Sequence, residues 1–374
     1  MSELTPSRPV YDGKLSELYG IYLRHVALMV LTLGWSRFWG RTRLRRYLWN
    51  HFAVRGDRFE YRGRGRELLF GFIFVLLLLA AWFGLLWGIW YFTLRVKPVP
   101  GVGLGNIFYF SLIVLGLPLA FVGQYAGLRY RLSRTRWRGI RGRLGGSAWD
   151  YGAIATLLNF ANAMTGQLMT PLVSVNLARP RIANAALGTQ RFEFAGRAGD
   201  VYGRYLGYYF LNILLWAVVI GLAAAALVAG GTRLGIDEAA LATIFTKPGV
   251  TTVLVILLAL FVVSTLFGLL ILPLRCWWQA YLFRYLVARV RVGPVLFATA
   301  LSTRHMWSFM VVNYLIVVMT LGLGWPWVMH RTLRLISEQL WIYGAPDGAS
   351  IRQPPERGPK YGEGLLDMFD VSGV

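Results

Sequence analysis

The chain has a single cysteine, Cys276, in 374 residues, which excludes an internal disulfide framework and any multi-cysteine metal site. The thiol is expected to fill space in an apolar core. Histidines number four, and none stands at a two-histidine metal spacing with an acidic third ligand. The HExxH, nucleophile-elbow and P-loop patterns are missing. No catalytic residue, metal or cofactor is therefore expected, and the chain reads as a non-enzyme. Lysine is scarce as well: Lys14, Lys97, Lys247 and Lys360 are the only four among 39 basic residues. Charge added for solubility would use lysine as readily, so the bias towards the planar guanidinium points to phosphate or carboxylate, or to orientation in a membrane. Charged residues make up only 15% of the chain and hydrophobic ones 56%, outside the range of soluble domains. Met1 to Lys14 lacks the basic, apolar and cleavage order of a signal peptide, so the start is expected to be retained.

What the sequence does have is long apolar runs. Leu68 to Leu94, Asn106 to Gly127, Tyr205 to Gly230 and Gly249 to Leu274 are free of charge and histidine, and each is long enough to cross a bilayer. Three further stretches, 18–33, 151–177 and 306–329, carry polar residues or helix breakers. The first would rise only about 24 Å against a core of ~30 Å. Arginine is spread unevenly: ten lie in Ser36 to Glu67, seven in Leu128 to Asp150, and five each in Ala178 to Arg204 and Arg275 to Arg304. Arg95 to Gly105 and Gly231 to Pro248 hold two basic residues each. The charge rule then puts the two poor loops outside and the rich ones, with both termini, in the cytoplasm. Full crossing by the three short stretches would break that rule, so they are expected to be re-entrant or half-crossing.

The chain repeats itself. Arg58-Phe59-Glu60-Tyr61 returns as Arg191-Phe192-Glu193-Phe194 at a spacing of 133, which also pairs Thr32 with Thr165 and Arg46 with Arg179. A spacing of 288 pairs Thr32, Gly34, Trp39, Arg43 and Arg46 with Thr320, Gly322, Trp327, Arg331 and Arg334. One of 155 pairs Arg129-Tyr130 with Arg284-Tyr285. These spacings divide the chain into a first unit (1–150, segments 18–33, 68–94, 106–127), a second (151–304, segments 151–177, 205–230, 249–274), a terminal half unit (305–343, segment 306–329) and a disordered cytoplasmic tail (344–374). Short alternating runs flank Gly56, Gly139, Gly188, Gly293 and Gly344, as β-hairpins would, and five hairpins on one face could pair into a small β layer. The fold class is thus a mostly α integral membrane protein of repeated helical hairpins, with re-entrant segments and small cytoplasmic β-hairpins.

The blocks Thr32-Leu33-Gly34 with Phe38-Trp39 and Arg45-Arg46-Tyr47, then Arg58-Phe59-Glu60-Tyr61-Arg62-Gly63, then Trp137-Arg138-Gly139-Ile140-Arg141 resemble the YjgN-like family of bacterial inner-membrane proteins over nearly the whole chain. The resemblance implies a multi-pass protein of the bacterial inner membrane and carries no catalytic or ligand residues. In some genomes such genes stand beside zinc metallopeptidase genes, which points to a proteolytic partner. The middle copy departs from the pattern, with Gln167 and Leu172 where the others have glycine and tryptophan.

Three groups of residues carry the functional expectation. Arg43, Arg46, Tyr47, Arg129, Tyr130, Arg179, Arg284, Tyr285, Arg331 and Arg334 are candidate ligands for an anionic lipid headgroup or another amphipathic anion, with an arginine fork on phosphate and a ring beside it. Thr32, Gly34, Trp39, Thr165, Thr320, Gly322 and Trp327 are assigned to re-entrant turns, and Arg24 and His25 form an intramembrane ionisable pair. In the tail, Leu366 and Phe369 share a helical face suited to docking a protein partner. Nucleic acid is disfavoured, because the arginines are interleaved with membrane anchors. The expectation is a protein that binds an anionic amphipath, movement of that amphipath being a further step. The alternative is an accessory or scaffold subunit of a membrane complex whose arginines only set topology.

Overall fold

The structure is a computed structural model describing residues 6–94, 103–234 and 250–344. The charge-poor loop tips lie almost wholly outside those residues, as does the tail with Leu366 and Phe369. The order of elements is β1 (Val10–Tyr11), α1 (Leu15–Leu31), α2 (Arg37–Asn50), β2 (Phe52–Val54), β3 (Asp57–Tyr61), α3 (Gly65–Ile89), α4 (Leu104–Arg134), β4 (Thr135–Trp137) and β5 (Ile140–Leu144). It continues with α5 (Ala148–Met164), α6 (Thr170–Ala183), β6 (Ala185–Leu187), β7 (Gln190–Phe194), α7 (Gly199–Leu234), α8 (Val250–Ala288), β8 (Val290–Val292), β9 (Val295–Thr299), α9 (Thr303–Met319), α10 (Trp325–Gln339) and β10 (Leu340–Tyr343). Strand, two helices, strand thus runs five times. The helices are short in the first, third and fifth passes and long in the second and fourth.

Four short glycine turns explain the strand pairs. Arg55 and Gly56 have φ of +55° and +86°, and Arg138 and Gly139 have +51° and +75°. Two successive left-handed residues match the twist of a two-residue hairpin. At Gly188 and Gly293 only the first turn residue is left-handed, the mirror type-II geometry, whose second position accepts Pro294. Gly344 instead ends β10, with φ of +82°. All ten strands pair in chain order. Ser7 then exchanges two 2.9 Å backbone hydrogen bonds with Ile342, so the meander closes into a ring without a free edge. Alternation sorts the side chains. Glu60 faces Arg136, and Glu193 faces Arg291, across the outer surface, while Val292, Val295 and Ile342 pack with Val54, Phe192 and Phe297 inside. The expected hairpins therefore merge into one closed sheet.

The helices leave the ring as five hairpins. In the three short ones a 17-residue helix, α1, α5 or α9, turns back at once. Thr32 Oγ1 donates to Leu28 O (2.6 Å) and accepts from Ser36 N (3.0 Å). Thr320 does the same with Ile316 O and Gly324 N. One hydroxyl thus ends one helix and starts the next. Gly34 and Gly322 take φ of +92° and +88° in those turns. Across the first hairpin His25 packs so closely on Gly40 that any Cβ there would overlap its ring, while Arg24 points to the exposed side. Leu18, Leu44 and Leu48 of the first hairpin pack with Met329 and Leu333 of the fifth, so the helical layer closes where the ring does. Cys276 is buried with Ala280, Leu301 and Met306.

Three helical stretches, Gly65–Phe92, Phe108–Arg134 and Gly199–Leu222, are long and apolar enough to cross a membrane. They are hardly covered by protein: Leu77, Phe110 and Leu214 are each more than 60% exposed. An apolar surface of that extent needs lipid or another protein around it. The helix α8, at 39 residues, takes in the fourth charge-free run from Val250 onward.

Candidate functional site: an arginine-lined cavity at the foot of α3

Helix α2 carries Trp39, Thr42, Arg43 and Arg46 at positions i, i+3, i+4 and i+7, which puts them on one face. That face meets the start of α3. A Cβ on Gly65 would lie 2.9 Å from Trp39 Cγ and 3.0 Å from Trp39 Cα, so only glycine lets α3 begin this close to α2. Arg46 Nη2 donates to Gly63 O at 3.3 Å and ties the incoming chain to α2. Between the two helices lies a cavity of about 440 Å³ lined by Trp39, Thr42, Arg43, Arg46, Arg64, Gly65 and Arg66.

Four guanidinium groups and no carboxylate face that space. The guanidinium groups of Arg43, Arg64 and Arg66 have no hydrogen-bond or ion-pair partner among the described residues. The nearby acid, Glu67, is already engaged: Tyr130 Oη donates to it at 2.7 Å and Arg134 pairs with it at 3.0 Å. Helix α3 begins without a side-chain cap, so its first N–H groups add positive potential at the same place. Clustered like charges repel, and an anion in the cavity would turn that repulsion into attraction. Trp39 supplies an aromatic wall beside the charges. The arrangement suits a phosphate or carboxylate attached to a less polar body.

Of the ten residues singled out as anion ligands, the structure brings only Arg43 and Arg46 to this cavity. Four arginines, Arg46 among them, donate to a backbone carbonyl 17 residues further on: Arg46 to Gly63, Arg129 to Gly146, Arg179 to Gly196 at 2.8 Å, and Arg284 to Leu301 at 3.1 Å. The tyrosines after three of them close onto an acid in the first turn of the hairpin's first helix. Tyr47 reaches Glu17 (3.0 Å), Tyr130 reaches Glu67 (2.7 Å) and Tyr285 reaches Asp200 (2.8 Å). Burial, the largest cause, and the Glu17 carboxylate both push the Tyr47 hydroxyl above its ordinary value, so it stays a donor. Arg331 donates to Asn313 Oδ1 (3.1 Å) and Arg334 pairs with Glu338 (2.8 Å). Sequence reading missed Arg64 and Arg66. The signal was there, in the alternation Arg62-Gly63-Arg64-Gly65-Arg66, which carries cations along the extended lead-in and into the first turn of α3.

A second cavity, about 460 Å³, lies between the turn of the third hairpin and α7 and α8, lined by Gln167, Thr170, Tyr205, Tyr208, Tyr209, Asn212, Arg275 and Gln279 among others. It has one cation where the first has four, and it suits a neutral polar group better than an anion.

The bacterial family of unknown function DUF898 matches residues 6–368 of the chain. No curated protein and no solved structure matches it.

Proposed function

The chain belongs to this YjgN-like family of bacterial proteins, and from that premise we propose that it is a non-enzymatic, multi-pass inner-membrane protein that binds an anionic lipid headgroup at its arginine-rich cytoplasmic face. The observation that carries the reading is the cavity of Trp39, Arg43, Arg46, Arg64 and Arg66, four cations without a lining acid. It stands at the start of α3, a helix whose apolar side chains are bare. A lipid there could set its phosphate among the guanidiniums and its chains along that helix. Basic loops and both termini lie in the cytoplasm by the charge rule, where anionic lipid is the nearest source of phosphate. Movement of the lipid between leaflets is a further step that the same site would serve.

Native mass spectrometry after mild delipidation tests the reading, with phosphatidylglycerol and phosphatidylethanolamine offered in equal amounts. Preferential retention of phosphatidylglycerol is expected, and its loss in the Arg43→Ala, Arg64→Ala, Arg66→Ala triple variant but not in Arg334→Ala. Equal retention of the two lipids, or retention that the triple variant leaves unchanged, would favour the scaffold reading, in which arginine serves only topology and folding.

A further inference from the structure

A closed ring of about eight strands is just wide enough for its own side chains to fill, so ten strands leave room inside. The lumen here holds a cavity of about 300 Å³ whose wall is drawn from the strands around the ring and is almost wholly apolar, with Phe52, Phe59, Phe192, Val295 and Phe297 prominent. It has room for roughly ten methylene-sized groups, each near the ~30 Å³ that a water molecule occupies in the liquid, and apolar cavities half this size already take small hydrocarbon guests in preference to water.

Two donors in the apolar wall lack a full set of partners, both at the end where the tight turns lie, whereas the Thr135 hydroxyl in the same wall already donates to Arg131 O at 2.9 Å. Trp137 precedes the Arg138-Gly139 turn and stands opposite Phe59. It is only 5% exposed, and its indole N–H has no acceptor among the described residues. Arg55, in the β2–β3 turn, donates through Nη2 to Gly344 O, while its Nε is buried without a partner. The cavity runs from there to Leu132 near the end of α4. A buried donor without an acceptor calls for an explanation, and in the wall of a cavity a ligand oxygen supplies one. The Arg55 cation in the same wall favours a negative charge there.

We propose that the lumen binds one medium-chain monocarboxylate, its chain along the phenylalanines and its carboxylate at Arg55 and Trp137. A two-chain phospholipid is too large for the space, and a bare inorganic anion would leave the apolar wall unfilled. The site shares no residue with the cavity at the foot of α3 and stands without it.

Calorimetry on the full-length protein in discs of zwitterionic lipid, titrated with decanoate or decanol, decides the matter. Saturable binding of one decanoate per chain is expected. Arg55→Met should weaken decanoate at least tenfold and leave decanol unchanged, Trp137→Phe should weaken decanoate a few-fold, and Val295→Trp, which fills the lumen, should abolish both. Should Val295→Trp fail to fold, the decanoate-to-decanol split in Arg55→Met decides alone. Non-saturable uptake, which is partition into lipid, or decanoate binding that Arg55→Met leaves intact, overturns the proposal.

Discussion

Arg284 on α8 reaches the carbonyl oxygen of Leu301, 17 residues further on, at 3.1 Å. Between them the chain leaves the helix, runs through a strand hairpin and turns towards the next helix. The guanidinium therefore joins the end of one helical hairpin to the beginning of the next, and Arg46, Arg129 and Arg179 repeat the contact at the same spacing. A long fork with several donors suits the task, since a carbonyl at a strand end has lone pairs that no ladder uses.

From this relationship Arg284→Met, which keeps the apolar stem and removes the donor, is expected to cost about 1–2 kcal/mol. It should lower the unfolding temperature in detergent without altering anionic lipid retention. Arg43→Met, whose guanidinium has no described partner, should leave the unfolding temperature where it was. Equal effects of the two substitutions would mean that the shared spacing has no structural value.

Much of this architecture was legible in the sequence, and the rest was hidden for physical reasons. The spacings of 133 and 155 stood out where Arg46 and Arg179, and Arg129 and Arg284, hold equivalent carbonyls, and that of 288 where Thr32 and Thr320 close equivalent turns. The hairpin turns were legible because left-handed backbone selects glycine. Closure of the ring was not, since it rests on the main chain of Ser7 and Ile342, 335 residues apart, and backbone hydrogen bonds leave no mark on residue type. Arginine stands out in the sequence, but a fork that takes a carbonyl and one that takes a phosphate look alike there. Only position in the fold separates Arg129, Arg179 and Arg284, which hold carbonyls, from Arg64 and Arg66, which line the cavity, and Arg46 does both.

Gln167 takes φ of +75° where Gly34 and Gly322 occupy the matching turns. Left-handed backbone costs an ordinary residue about 1 kcal/mol relative to glycine, so its side chain must offset that. Asn162, only 5% exposed, donates to Gln167 Oε1 at 2.7 Å. Gln167→Ala keeps the strain and takes away the acceptor, and should destabilise by about 1–3 kcal/mol. Gln167→Gly loses the same contact but relieves the backbone and should fall much nearer the wild type. An unfolding series in which alanine is as stable as glycine would refute the account.

Acidity should loosen the closure of the ring through His330. Its ring packs edge-on against Tyr11 of β1 at 5.3 Å, and burial, helped by the positive charge of Arg334, holds it below its ordinary value. The neutral form is thus favoured in the fold, while the unfolded chain takes up a proton near pH 6.5. Stability from this group is complete above pH 6.5 and is lost as pH falls towards the depressed folded value. Unfolding temperature should therefore drop between pH 7.5 and 5.5, and His330→Gln should flatten that drop. A slope unchanged by the substitution would assign the acid sensitivity elsewhere.

Leu33 and Leu321 sit at the tips of the first and fifth hairpins with φ of +48° and +49° and with 92% and 90% of their surfaces bare. Each leucine bears a backbone strain of about 1–2 kcal/mol and, in water, would forgo roughly 2 kcal/mol of burial. Two turns would not both keep so unfavourable a residue facing water, whereas in hydrocarbon the side chain is at home. The tips are therefore expected to dip into the bilayer from the side where the ring lies, without crossing it. Single cysteines on a Cys276→Ser background test this in sealed vesicles. A cysteine at Leu33 or Leu321 should resist a membrane-impermeant thiol reagent from either side and react once detergent is added. One at Ser147 or Thr189, near the ring, should react only when the cytoplasmic side is open. Labelling of Leu33 from the periplasmic side of intact vesicles would mean that the short hairpin crosses the membrane, and the re-entrant arrangement would fall with it.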